Sequence, residues 1–206
     1  MLEQGSPEWF AARCGKITAS RVHDVIARTK SGYAASRKNY EAQLIAERLT
    51  GTVANSYSNA AMQWGIDTEP QARAAYELRS GYDVLETGFT IHPRIENAGA
   101  SPDGLIGEDG MVEIKCPNTA THLETLLGAK IPAKYVTQMQ WQMACEGRLW
   151  CDFVSFDPRL PDHLQIFSSR VERDDNRIKE LETEVIGFEA EIVRKLDELS
   201  KQYEVA

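Results

Sequence analysis

The chain has 206 residues, 42% hydrophobic and 26% charged, with a formal net charge of −8. This is the make-up of one globular domain spanning 1–206, and no apolar run approaches the ~20 residues that a membrane span needs. The first ten residues are acidic rather than basic and then apolar, which argues against a secretory leader and leaves cytoplasmic residence as the expectation.

Cys14, Cys116, Cys145 and Cys151 form no CxxC pair and lack the spacing of a disulfide framework, so reduced, partly buried thiols are expected. His23, His92, His122 and His163 are scattered, and no zinc site is indicated. The negative total does not exclude a polyanionic partner, because distribution matters more than sum. Residues 1–48 carry eight Lys/Arg against five Asp/Glu, whereas 172–206 carry six against eleven. A nucleic-acid surface is therefore conceivable in the first third.

In chain order, a helix is expected over 20–28, with Ser20 as N-cap and Val22, Val25 and Ile26 as its apolar face. A second runs over 38–50 and stops at Gly51. A third starts near Asn59 and continues through Trp64, Glu69, Ala72 and Tyr76 towards Gly81, with a break expected near Pro70. Short β-prone segments follow at 82–85, 89–92, around Leu105 and at 111–115, separated by turn residues. Helical spacing returns over 133–146, and strands are expected at 150–156 and 164–171.

The last segment, 176–203, is a long helix with an apolar stripe from Ile178 through Leu181, Val185, Phe188 and Ile192 to Tyr203. It covers a face of the sheet or forms a subunit contact, and the pattern favours the first.

The most informative stretch is Ser101-Pro-Asp-Gly-Leu-Ile, a turn bounded by Gly107 and Gly110, then Met111-Val-Glu-Ile-Lys-Cys-Pro. It has the pattern of a β-hairpin. Residues two apart on a strand share a face, so Glu113 and Lys115 point together while Val112 and Ile114 enter the opposite layer. Asp103 can approach Glu113 across the hairpin.

Two carboxylates beside an ammonium suit metal-assisted phosphodiester hydrolysis, with Mg²⁺ the best-fitting cation. Asp103, Glu113 and the Ile114 carbonyl would hold the metal. Lys115 would position or deprotonate the water, or offset charge on the phosphate. As isolated residues, the same three are better read as a solvated strand face or an exposed ion pair. The preceding Pro, the turn-length spacing and the Cys-Pro ending favour chemistry.

Separated segments now combine. The SPDG…EIKCP signature resembles the PD-(D/E)xK nuclease superfamily and, within it, the phage lambda exonuclease group, also called YqaJ-like viral recombinases. PEWFAARCGKITASRVHDVIA, QWGIDTEPQARAAYE, YVTQMQWQM and FVSFDPR resemble that group in the same order, so the resemblance covers roughly 6–171. It implies an α/β (α+β) fold with a restriction-endonuclease-like core, a central mixed sheet flanked by helices and a long C-terminal helix.

The resemblance also implies site roles. Asp103, Glu113 and Lys115 become the metal-binding and catalytic set, assisted by Glu69 on the upstream helix. Gln138 contacts the reacting phosphate region; Gln140 and Gln142 lie close by, and only one helical face can look at the site. Thr18 and Ser20, at the start of a helix whose free N–H groups favour an anion, join Arg13 in a pocket for a 5′-phosphate. Without the resemblance, Ser20 would only cap its helix and Arg13 would sit on the surface.

Trp9, Trp64 and Trp141 are expected in the core rather than as base-stacking platforms. Met62 has two readings, a wedge into the duplex end or a buried core residue, and the second is favoured.

The expected activity is that of a Mg²⁺-dependent exodeoxyribonuclease with two metal ions, Mn²⁺ being able to substitute. It digests one strand of linear duplex in the 5′→3′ direction, releases mononucleotides and leaves a 3′ single strand. The resemblance further implies a toroidal homotrimer on double-stranded DNA ends, a single-strand annealing partner, and a phage or prophage origin in the bacterial cytoplasm. The rivals are a site-specific endonuclease of the same superfamily and an inactive DNA-binding module. Intact Asp103, Glu113 and Lys115 argue against the second.

Overall fold

The structure, a computed structural model, describes residues 2–53 and 60–203. The N-terminal third contains helix α1 (Pro7–Arg13), strand β1 (Ile17–Thr18), a 3₁₀ turn (Ala19–Arg21) and the short helix α2 (Val22–Val25). Then come a small hairpin of β2 (Arg28–Thr29) and β3 (Gly32–Tyr33), and the helices α3 (Ala35–Thr50) and α4 (Ala60–Ser80). The middle holds β4 (Thr90–His92), β5 (Ile95–Ala100), β6 (Gly104–Ile106) and β7 (Gly110–Lys115). Helices α5 (Thr119–Gly128) and α6 (Ala133–Glu146), strands β8 (Trp150–Phe156) and β9 (Ile166–Glu172), and helix α7 (Asp175–Tyr203) complete the chain.

The expected mixed sheet is present, but divided. One sheet has four strands in the order β6-β7-β8-β9, with β7 and β8 parallel and both outer pairs antiparallel. The other has three in the order β1-β5-β4, with β1 parallel to β5. Helices α4 and α6 cover opposite faces of the larger sheet. Val112 and Ile114 pack with Ala72 and Tyr76 of α4, whereas Met111 packs with Met139 and Met143 of α6. The side chains of β7 thus alternate between two cores, as its spacing predicts.

Helix α7 lays Leu181, Val185, Phe188 and Ile192 into a core shared with α2, α3, α6 and the smaller sheet, and the Phe188 ring stacks on Tyr40 at 5.9 Å between centroids. From Ile178 to Ile192 its stripe is therefore intramolecular, covering helices as well as a sheet, whereas Leu199 and Tyr203 are exposed. Acidic side chains of α7 also reach the basic N-terminal third: Arg28 pairs with Glu184, Arg37 with Glu191 and Arg48 with Glu189. The local excess of positive charge expected there is largely answered within the chain, which leaves fewer cations for an external anion.

Other expectations change. The helix over 20–28 reduces to a 3₁₀ turn and one α-turn, and Ser20 lies inside the 3₁₀ turn rather than capping a helix. Helix α4 runs unbroken through Pro70. The carbonyl that Pro70 leaves unbonded belongs to Ile66, an exposed residue, so water can satisfy it. The expected start at Asn59 lies outside the described residues. No described helix is long and apolar enough to cross a membrane.

Leu181→Ala tests the place of α7. Leu181 has no exposed surface, so truncation should cost about 2–5 kcal/mol in denaturant unfolding. A stripe that served mainly another subunit would instead change the assembly and leave the unfolding free energy of the chain intact.

Candidate active site

The β6–β7 hairpin closes with Gly104 opposite Val112 and Ile106 opposite Gly110 around a three-residue loop in which Gly107 has φ +52°. Extended by one residue, this register sets Asp103 against Glu113. The Asp103 Oδ2 accepts the backbone N–H of Ile114 at 2.6 Å, which fixes its carboxylate at the end of the hairpin. Upstream, Trp9 of α1 donates its Nε1–H to Ser101 Oγ at 3.0 Å, and Gln4 donates to the Pro102 carbonyl at 2.9 Å. Helix α1, capped by Ser6 and started by Pro7, therefore holds the segment that presents Asp103.

Glu113 is fully buried. Its Oε1 accepts from Gln138 Nε2 at 2.7 Å and pairs with the Lys115 ammonium, and its Oε2 accepts from Gln142 Nε2 at 2.6 Å. Gln138 and Gln142 are one helical turn apart, so both face β7. Gln140 faces away and ties α6 to the β9–α7 junction through the Glu172 carbonyl and the Asp174 N–H. In this structure Gln138 thus serves Glu113, and Gln142 is a site residue that the sequence left unassigned.

Burial raises the Asp103 carboxyl well above the usual range, and the neighbouring Glu113 adds to it, against the opposing pull of Lys115. Burial also raises Glu69, whose carboxylate interacts with Arg73, Lys115 and Glu113 and bonds Arg73 Nη2 at 3.0 Å. Arg73 also pairs with Glu86. Burial acts to lower Lys115, but the Glu113 and Asp103 carboxylates outweigh it and hold the ammonium above its ordinary value. In this arrangement Lys115 is a cation suited to offset phosphate charge rather than a base. Burial pushes the Cys116 thiol up to about 12, and all four cysteines are free.

Beside this cluster lies a cleft of about 680 Å³ whose lining includes Trp9, Arg13, Thr18, Ser20, Met62 and Glu69. The three residues expected at a 5′-phosphate therefore share one cavity with the helical Glu. Asp103, Glu113 and Lys115 do not line it; Glu69 is the link between the two. The Arg13 guanidinium lies 3.8 Å from the Trp9 ring centroid and makes no ion pair among the described residues. Burial lowers it to about 10, with Tyr40 and Glu47 opposing, so it stays charged at neutral pH.

Thr18 is buried and Ser20 exposed, with their hydroxyls 3.5 Å apart. The helix that was to lend them its N–H groups is too short for a dipole to contribute much. The groups that this cleft offers an anion are Arg13 and the two hydroxyls instead. Met62 is exposed at 46%, which overturns its expected burial, and Trp141 is a core residue, whereas Trp9 and Trp64 are half-buried.

Among the described residues no three His, Cys, Asp or Glu side chains are grouped closely enough to hold a metal by themselves. The donors still fit a hard cation. Mg²⁺ retains several waters and needs only one or two carboxylates from the protein. A carboxyl raised by burial and by a neighbouring carboxylate, as Asp103 is beside Glu113, is relieved by divalent charge.

A family model described as the YqaJ-like viral recombinase domain matches residues 8–148. The chain is similar to the solved structure of an alkaline exonuclease, LHK-Exo, from Laribacter hongkongensis, with 55% identity, TM-score 0.90, and 96% of this chain and 97% of that one covered. A structure of LHK-Exo in complex with dAMP matches equally, at 56% identity and TM-score 0.90, with the same coverage. A phage related exonuclease from Haemophilus somnus 129PT shares the fold at 20% identity and TM-score 0.73, covering 90% of this chain and 96% of that one. No curated protein sequence matches.

The raised Asp103 gives a pH-dependent outcome. A carboxyl whose folded pKa lies above its unfolded value contributes stability that is present at low pH and lost as pH rises through the folded pKa. In chelator at neutral pH, Asp103→Asn should therefore raise Tm, each kcal/mol of relief being worth about 2–4 °C in a chain of this size. The gain should shrink as pH falls towards 4. A variant that melts below wild type throughout that range would show that the Asp103 carboxylate is not under repulsion.

Proposed function

The chain belongs to the YqaJ-like viral recombinase family, and from that membership and its site we propose a Mg²⁺-dependent exodeoxyribonuclease that digests one strand of linear duplex DNA from a 5′-phosphorylated end. The observation that carries this reading is the placement of Asp103 and Lys115 around the buried Glu113 carboxylate, joined through Glu69 to a cleft holding Arg13.

Asp103, Glu113 and the Ile114 carbonyl would hold one or two Mg²⁺ ions, with Mn²⁺ able to substitute. When bound, the metal supplies an acidified water and neutralises phosphate oxygens. The protein's own groups do the rest. Gln138 and the Ile114 N–H keep the two carboxylates in place. Lys115, held cationic by its neighbours, offsets charge that builds on the phosphate.

Arg13 grips the terminal phosphate from its seat on Trp9, with the Thr18 and Ser20 hydroxyls as donors. A phosphate anchored there sets polarity: the strand that supplies the 5′ end is cut and its complement remains as a 3′ single strand. The dAMP held by the relative suits release of mononucleotides. The same reading has a single catalytic domain over 1–206, a ring of three copies encircling DNA, and a phage single-strand annealing protein in the host cytoplasm that takes over the 3′ strand.

The test compares 5′-phosphorylated and 5′-hydroxyl linear duplexes with a covalently closed circle, in Mg²⁺ and in chelator. The linear phosphorylated duplex should be degraded only with metal, and the circle should survive. Asp103→Ala should fold and bind DNA yet lose activity by a factor on the order of 10³. Arg13→Ala should weaken use of the phosphorylated end by about 10- to 100-fold and leave the hydroxyl end little changed. Cleavage of the circle would favour the endonuclease reading, and loss of 3′ strands first would reverse the polarity.

A further inference from the structure

Helix α6 is buried without interruption from Thr137 to Cys145, and three of those nine residues are glutamines. A buried amide must find partners. Gln138 and Gln140 do so in ways already described. Gln142 is different: it has no exposed surface, its Nε2 donates to Glu113 Oε2 at 2.6 Å, and its own Oε1 is buried with no hydrogen-bond partner among the described residues. The amide cannot be turned round, because a carboxylate only accepts and Oε1 would then face Oε2.

An unanswered buried amide oxygen destabilises a fold. With Trp141 and Met143 beside it in the same buried stretch, a Met or Leu would remove that burden. The position therefore carries a polar group at the expense of its own satisfaction, and the one group that benefits is Glu113.

The benefit follows from counting lone pairs. An ionised carboxylate offers about four acceptor sites. On Glu113, Oε1 takes the Gln138 amide and the Lys115 ammonium, and Oε2 takes Gln142 alone. One site is left, on Oε2. Because Gln142 occupies the other site of the same oxygen, it decides the direction in which that last lone pair points. Gln138 cannot do this, since it sits on the opposite oxygen and shares it with Lys115.

We propose that Gln142 is a positioning residue that sets the Glu113 carboxylate so that its remaining Oε2 lone pair is aimed at a divalent cation. This rests on the metal-dependent nuclease reading above. It acts through Glu113 and does not touch the DNA.

The experiment titrates Mg²⁺ and Mn²⁺ into the purified full chain by calorimetry, in parallel with kcat and KM on 5′-phosphorylated linear duplex. Wild type is compared with Gln142→Met, of similar volume without a donor, and with Gln142→Asn, which keeps the amide but is one methylene short of Glu113. Both variants should bind metal about 10- to 100-fold more weakly. They should lose kcat with KM for DNA little changed, and recover activity at high Mg²⁺. If the Met variant does not fold, the Asn variant decides.

A purely structural role would lower Tm and leave metal affinity at the wild-type value, and that result overturns the proposal while leaving the nuclease reading intact. A wild-type chain that binds neither cation overturns both.

Discussion

Removing an ionised carboxylate from water costs several kcal/mol unless its lone pairs are answered, and Glu113 is such a group at the centre of the molecule. The demand shapes its neighbours. A strand buried on both faces would ordinarily be apolar throughout, and β7 is so except at Glu113 and Lys115. Lys115 supplies the countercharge from two residues away on the same face. The remaining donors come from a helix rather than a second strand, because two residues four apart on α6 span the two oxygens of one carboxylate.

This explains the unusual polarity of α6. Thr137 to Cys145 is buried on all sides, between the larger sheet, the smaller sheet and α7, yet alternate residues are glutamines. Each has a separate assignment: Gln138 and Gln142 to Glu113, Gln140 to the β9–α7 junction. The helix therefore holds the β9–α7 junction through Gln140 and, on the opposite face, the Glu113 carboxylate through Gln138 and Gln142. A shift of α6 that loosened α7 would also turn the glutamines away from Glu113.

Legibility in the sequence followed how local each cause was. The hairpin was readable because Gly107 and Gly110 mark the turn and alternation fixes which side chains share a face. Helix α6 and strand β8 were readable from periodicity alone. Strand β5 was missed because Ile95–Ala100 contains Asn, Ala and Gly, poor strand formers; it exists through pairing on both sides, and Gly99 lets the Phe89 ring and the Thr90 carbonyl approach where a Cβ would meet them at about 2.4 and 2.5 Å. Helices α1 and α5 were missed although Ser6-Pro7-Glu8 and Pro117-Asn118 carry start signals. Of the site, the carboxylates and Lys115 were legible by type and spacing. Which glutamines face Glu113 was not, since that depends on the rotation of α6 against the sheet.

The N-terminal helix touches both halves of the site. Trp9 holds Ser101, two residues before Asp103, through its Nε1–H, while its ring face seats the Arg13 guanidinium. One indole thus touches both Arg13 and the segment that presents Asp103. The cleft and the carboxylates are thus connected twice: Glu69 joins them electrostatically, and Trp9 joins them through packing and a hydrogen bond.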